Sequence, residues 1–122
     1  MLRGHLTLVN FFFSGCAPCI AETPTLVAYA KKHPQQHVLA VTFDDAATAK
    51  AFVADHGFSW PVLVDGMAFD QAMGVDVYPV MALVGPDGHL LKMSVAGNIA
   101  RNGKPLGVGD LEAWIAPHQR LR

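Results

Sequence analysis

Leu6-Thr7-Leu8-Val9-Asn10-Phe11-Phe12-Phe13-Ser14-Gly15-Cys16-Ala17-Pro18-Cys19-Ile20 is the stretch that decides the fold. Its first eight residues are nearly all apolar or β-favouring, which predicts a central strand covered on both faces. Ser14-Gly15 breaks that strand, and a helical pattern follows. Pro18 fits a first helical turn, where its missing N–H leaves no bond unmade. Ile20, Leu26, Val27 and Ala30 predict an apolar helix face running to about His33-Pro34, with Pro24 as a kink inside it. A Cys-x-x-Cys set where a buried strand turns into a helix has a direct chemical use. First-turn N–H groups and the helix dipole stabilise a thiolate at the leading cysteine. Cys16 is therefore expected to be solvent-accessible and to act as the attacking nucleophile. Cys19, one turn later on the same face, can reach back to resolve a mixed disulfide.

Downstream, His37–Phe43 reads as a second buried strand. Asp44-Asp45 offers a helix cap for Ala46–His56, which Gly57 ends. Pro61–Val64 reads as a short extended piece and Met67–Met73 as a short helical turn. Val80–Val84 and His89–Val95 flank Gly85-Pro86-Asp87-Gly88, a hairpin signal. Asn98–Val108 reads as a loop, and Asp110 as the cap of a last helix, Leu111–Ala116. The order β-α-β-α-(short)-β-β-α predicts a three-layer α/β/α sandwich with a mixed central sheet.

The 122 residues fit a single domain, 1–122, without a linker. Hydrophobic residues make up 52% and charged residues 16%, which argues against disorder. No apolar run approaches the ~18 residues of a membrane helix. The net charge of −1, without a basic cluster, argues against a nucleic-acid partner. The two cysteines are the only ones, and a disulfide between them would close a tiny loop that adds little chain-entropy stability. Reactivity explains the pair better. The six histidines show no metal-ligand spacing, and no cofactor is indicated. Met1-Leu2-Arg3-Gly4-His5 lacks the features of a secretory leader, so a leader has been trimmed or was never carried.

The run Leu8–Pro24, with Val-Asn-Phe-Phe-Phe, Cys16-Ala17-Pro18-Cys19, Glu22 and Pro24, resembles the thioredoxin superfamily, in particular its TlpA-like (ResA-like) branch. A second match is Met73-Gly74-Val75-Asp76-Val77-Tyr78-Pro79 with the strand after it and Asp87-Gly88. The resemblance runs from about Leu6 to Ile115. It implies a thiol–disulfide oxidoreductase, with reduction of partner disulfides as the favoured direction. It implies protein thiols and disulfides as partners, apocytochromes c or their maturation proteins among them, and an upstream thiol electron donor. It also implies a periplasmic setting, with a cytoplasmic one as the alternative.

Residue by residue, Pro79 falls on the family's cis-proline, which would leave the Tyr78 backbone free to pair with an extended substrate beside Cys16. Glu22 falls on the family's buried acid, whose raised pKa would suit proton transfer. Asn10 stands where ordinary thioredoxins carry a buried Asp. Gly15 replaces the Trp that usually precedes the first cysteine, so Gly15, Ala17, Pro18 and Tyr78 are the expected substrate-contact residues. A strand that the family usually carries ahead of the first one here is missing, which would expose a sheet edge. Glu22 could be a plain surface acid, Pro79 trans, and Tyr78 a surface aromatic. At the level of function, a copper-binding or copper-delivery module is one rival, though related chaperones space their cysteines one residue wider. A redox-inert interaction domain is the other.

Overall fold

The computed structural model describes residues 4–100 and 105–121. Strand β1 (Thr7–Phe12) is buried at every position, because it has a strand on each side and a helical layer on each face. It pairs in parallel with β2 (His37–Thr42) and antiparallel with β4 (Val80–Val84). The two-residue β3 (Val62–Leu63) adds to β2 in parallel, and β5 (Leu90–Val95) adds to β4 antiparallel. The mixed sheet thus runs β3-β2-β1-β4-β5, which is a thioredoxin-like arrangement.

Alternation along the strands builds two cores. Leu6, Leu8, Phe12, Ala40, Met81 and Leu83 face one layer, into which α1 (Ala17–Lys32) sends Leu26 and Tyr29 and α2 (Ala46–His56) sends Phe52. Short helix α4 (Ala96–Ile99) and α5 (Val108–Ile115) complete that side through Ile99, Leu111 and Ile115. Val9, Phe11, Leu39, Val41, Ala82 and Val84 face the other way, towards α3 (Met67–Met73) and Val75. Phe12 is the hinge of the first core, with its ring centroid 5.0 Å from Phe52 and 5.4 Å from Phe58.

Several local expectations need correction. Ile20 is exposed, and the buried face of α1 is made by Cys19, Thr23, Leu26 and Tyr29. Thr23 is tolerated there because its hydroxyl donates to the Cys19 carbonyl at 2.9 Å. Pro24 lies inside the helix, as expected. Only Asp45 caps α2, accepting the Thr48 N–H, while Gly57 closes that helix at φ 72°, a left-handed value that suits glycine. The stretch read as a loop from Asn98 begins as the helical turn of α4. The last helix starts earlier than expected, at Val108, and Asp110 sits inside its first turn with its carboxylate accepting the Gly107 N–H at 2.9 Å. A 3-10 segment, Ala116–Leu121, follows. Residues 101–104 of the expected loop, and 1–3 of the segment weighed as a leader, lie outside the described residues.

Candidate active site

The turn between β1 and α1 is fixed from the far end of β2. The Ser14 N–H donates to Asp44 Oδ2 at 2.7 Å, and the Thr42 hydroxyl donates to the same oxygen at 3.0 Å. One residue earlier, the Phe13 and Phe43 rings stack at 5.0 Å. Asp44, read from sequence as a helix cap, therefore serves the cysteine turn instead. Nothing local in the sequence signals the bond to the cysteine turn, since Ser14 lies thirty residues away.

Cys16 is the N-cap of α1 and is joined to Cys19 by a disulfide, with the Cα atoms 5.2 Å apart. The Cys19 N–H, an otherwise orphaned first-turn donor, points at Cys16 Sγ at 3.1 Å. On reduction the same donor and the helix dipole act on the Cys16 sulfur, which favours its thiolate. Contrary to the expected accessibility of Cys16, both cysteines are recessed in this disulfide form, each 4% exposed. Gly15, Ala17, Pro18 and Ile20 around them are exposed. The rim residues, rather than the sulfurs themselves, are what the surface exposes.

Glu22 is partly buried, one turn past Cys19, and its Oε1 has no hydrogen-bond partner among the described residues. Burial pushes its pKa up from 4.5 to about 7. Glu22 shares a cavity of about 300 Å³ with Pro18, Thr25, Pro79, Ala96 and Leu106. A larger cavity, about 480 Å³, lies by Gln36 and Trp60 and includes none of the cysteine-helix rim. The smaller one is the chemically relevant space, because it joins the acid and the proline loop to Pro18 of the cysteine motif.

A stability effect follows from Glu22. Unfolded, it loses its proton near pH 4.5; folded, near pH 7. Between those values the native state binds more protons, so this group makes stability fall as pH rises through the window. Glu22→Gln is expected to flatten that part of the profile and to raise Tm at pH 8 relative to the parent. Thermal melts of the oxidised proteins from pH 4 to 8 check this, and parallel profiles would refute it.

The Tyr78–Pro79 peptide bond is cis and Pro79 is buried. The Pro79 carbonyl accepts the Ala96 N–H at 3.0 Å. Among the described residues nothing takes the Tyr78 N–H or carbonyl in a hydrogen bond. The Tyr78 ring is not a surface platform. It is half-buried, edge-on to Phe13 and Phe43, and its hydroxyl donates to Asp70 Oδ2 at 2.5 Å. Sequence reading passed over Asp70, although an acid within the otherwise uncharged Met67–Met73 was a faint signal. The structure thus brings Cys16, Cys19, Pro18, Glu22, Tyr78 and Pro79 to one end of the sheet.

A disulfide at the start of a helix, a partly buried acid one turn on and a neighbouring cis-proline loop define a thioredoxin-fold protein of Cys-x-x-Cys type. The Redoxin family profile matches residues 2–107, and the chain belongs to that family. It is 27% identical over 100 residues to the thiol-disulfide oxidoreductase ResA of Halalkalibacterium halodurans, covering 79% of this chain and 57% of that protein. It is 33% identical over 93 residues to the thiol:disulfide interchange protein CycY of Rhizobium leguminosarum bv. viciae, covering 74% and 50%. The chain therefore spans about half the length of these curated relatives. Among solved structures, a solution structure of a candidate thioredoxin from Neisseria meningitidis superposes with a TM-score of 0.76 at 31% identity, covering 98% of this chain and 77% of that one. StoA from Bacillus subtilis superposes at 0.72 with 20% identity, covering 92% and 83%, and shares the fold. No helix among the described residues is long and apolar enough to cross a membrane.

Proposed function

We propose that this protein is a thiol–disulfide oxidoreductase acting on protein substrates, with reduction of the partner as its working direction. The observation that carries the reading is the Cys16–Cys19 disulfide at the N-terminus of α1, with Cys16 Sγ facing the Cys19 N–H. In the reduced protein, the Cys16 thiolate attacks one sulfur of a partner disulfide. The partner S–S bond breaks, one partner thiolate leaves, and a mixed disulfide remains. Cys19, deprotonated, then attacks the Cys16 sulfur, forming Cys16–Cys19 and releasing the second partner thiol. Two electrons pass from the cysteine pair to the partner, and a separate thiol donor restores the pair.

Glu22 is assigned to the proton of Cys19, because a carboxyl poised near neutrality is the natural acceptor for a thiol one turn away. The Tyr78–Pro79 backbone is assigned to the partner's extended segment, by strand addition. Gly15, Ala17 and Pro18 form the exposed rim over which that segment lies. The resemblance to TlpA-like proteins supports an extracytoplasmic, periplasmic setting and apocytochromes c or their maturation proteins as substrates. The test is reduction of a synthetic peptide disulfide by catalytic protein with dithiothreitol as donor. Turnover above the dithiothreitol background supports the reading, and background rates alone overturn it.

A further inference from the structure

We propose that Asp70 is a positioning residue for the partner strand: it clamps the loop that ends in Tyr78–Pro79 and turns the Tyr78 ring inward, leaving the backbone edge outward. The proposal deepens the function proposed above and rests on it. Asp70 holds the loop at both ends. Its backbone carbonyl accepts the Val75 N–H at 2.8 Å, and its carboxylate accepts the Tyr78 hydroxyl. Residues 75–78 are thereby closed onto a single residue of α3.

That residue is itself immobilised. The Asp70 N–H donates to the Gly66 carbonyl at 2.8 Å, and the Gly66 N–H donates to the Thr42 carbonyl at 2.9 Å. A Cβ on Gly66 would lie 3.0 Å from Val41 Cγ1 and 3.1 Å from the Thr42 carbonyl oxygen, so α3 sits hard against the end of β2. The end of β2 is also what grips the cysteine turn, through Phe43 on Phe13 and Asp44 on the Ser14 N–H. Tyr78 touches both rings, with centroids 5.3 Å from Phe13 and 5.7 Å from Phe43. One rigid frame therefore carries the nucleophile's turn and the proline loop, and Asp70 is its link to the loop.

The chemistry of Asp70 favours a positioning role over simple packing. It is fully buried, and its Oδ1 has no hydrogen-bond partner among the described residues. A buried carboxyl with one good partner costs stability that an apolar residue would not. What the carboxyl supplies is a short, directional bond to one hydroxyl.

The experiment measures steady-state kinetics on a peptide disulfide for Asp70→Ala, Tyr78→Phe and the double variant, with Asp70→Asn as the conservative control. Each single variant is expected to raise KM about tenfold with kcat within about twofold, the signature of lost binding alignment. The double variant should match the singles, because both remove one bond. Asp70→Asn, whose amide oxygen can still accept from Tyr78, should stay near the parent KM. If Asp70→Ala does not fold, Tyr78→Phe against Asp70→Asn carries the same comparison. Unchanged KM in Tyr78→Phe, or losses that multiply in the double variant, would overturn the clamp. An inactive parent protein would instead sink the oxidoreductase reading, so the two failures are distinguishable.

Discussion

Cys16→Ser is expected to reduce peptide-disulfide exchange to background, a loss on the order of a thousandfold or more, because a serine hydroxyl cannot replace a thiolate at the attacking position. Cys19→Ser should behave differently. Cys16 keeps its place as the N-cap of α1 and keeps the residue-19 N–H as a donor, so the first attack proceeds. The second step is lost, and a mixed disulfide between Cys16 and half of the peptide accumulates. Intact-mass measurement after mixing with peptide disulfide reads both outcomes. An adduct on Cys19→Ser and none on Cys16→Ser assigns attack and resolution as argued. The reverse pattern would exchange the two roles, against the recessed but helix-capping position of Cys16.

Phe12→Ala should produce the largest loss of stability, about 3–5 kcal/mol, as expected when a buried aromatic is removed from a packed core. Phe12 is 1% exposed and its ring meets Phe52 of α2 and Phe58 of the segment after it. Phe58 in turn stacks on Trp60 at 4.5 Å. Removing one ring therefore undercuts the attachment of α2 to the sheet as well as leaving a void. Urea unfolding of the oxidised proteins measures the difference. A loss below about 1 kcal/mol would mean that the core relaxes to fill the site.

Much of this architecture was legible in the chain itself. The nearly all-apolar run through Phe13 marks a strand covered on both faces, and the structure places β1 at the centre of the sheet. The hairpin around Gly85–Gly88 and the helix ended by Gly57 follow from turn chemistry that acts over a few residues. The errors have two causes, local side-chain chemistry at Ile20 and contacts between separate elements at Asp44 and Tyr78. Ile20 reads as core by periodicity, yet it lies on the rim because the helix presents Thr23 inward and satisfies its hydroxyl locally. Asp44 reads as a cap, yet it serves a backbone N–H thirty residues away. The inward turn of Tyr78 needs Asp70, and only the packing of α3 against the end of β2 brings the two together.

The same distinction applies to the site. The cysteine motif carries its own context, a strand on one side and a helix on the other, so its chemistry is local and readable. The environment of Glu22 is not local. Its raised pKa comes from burial in a cavity shared with α1, the proline loop and the segment around Leu106.

The equilibrium reduction potential of the Cys16–Cys19 pair, titrated against glutathione and dithiothreitol couples, tests the central claim most directly. A reversible two-electron couple is the predicted result. Its value should lie towards the thioredoxin end, about −270 mV, of a range that extends to about −120 mV for strongly oxidising relatives of the fold. A pair that forms no reversible disulfide would contradict the oxidoreductase reading, and a couple at the oxidising end would reverse the proposed direction of electron flow.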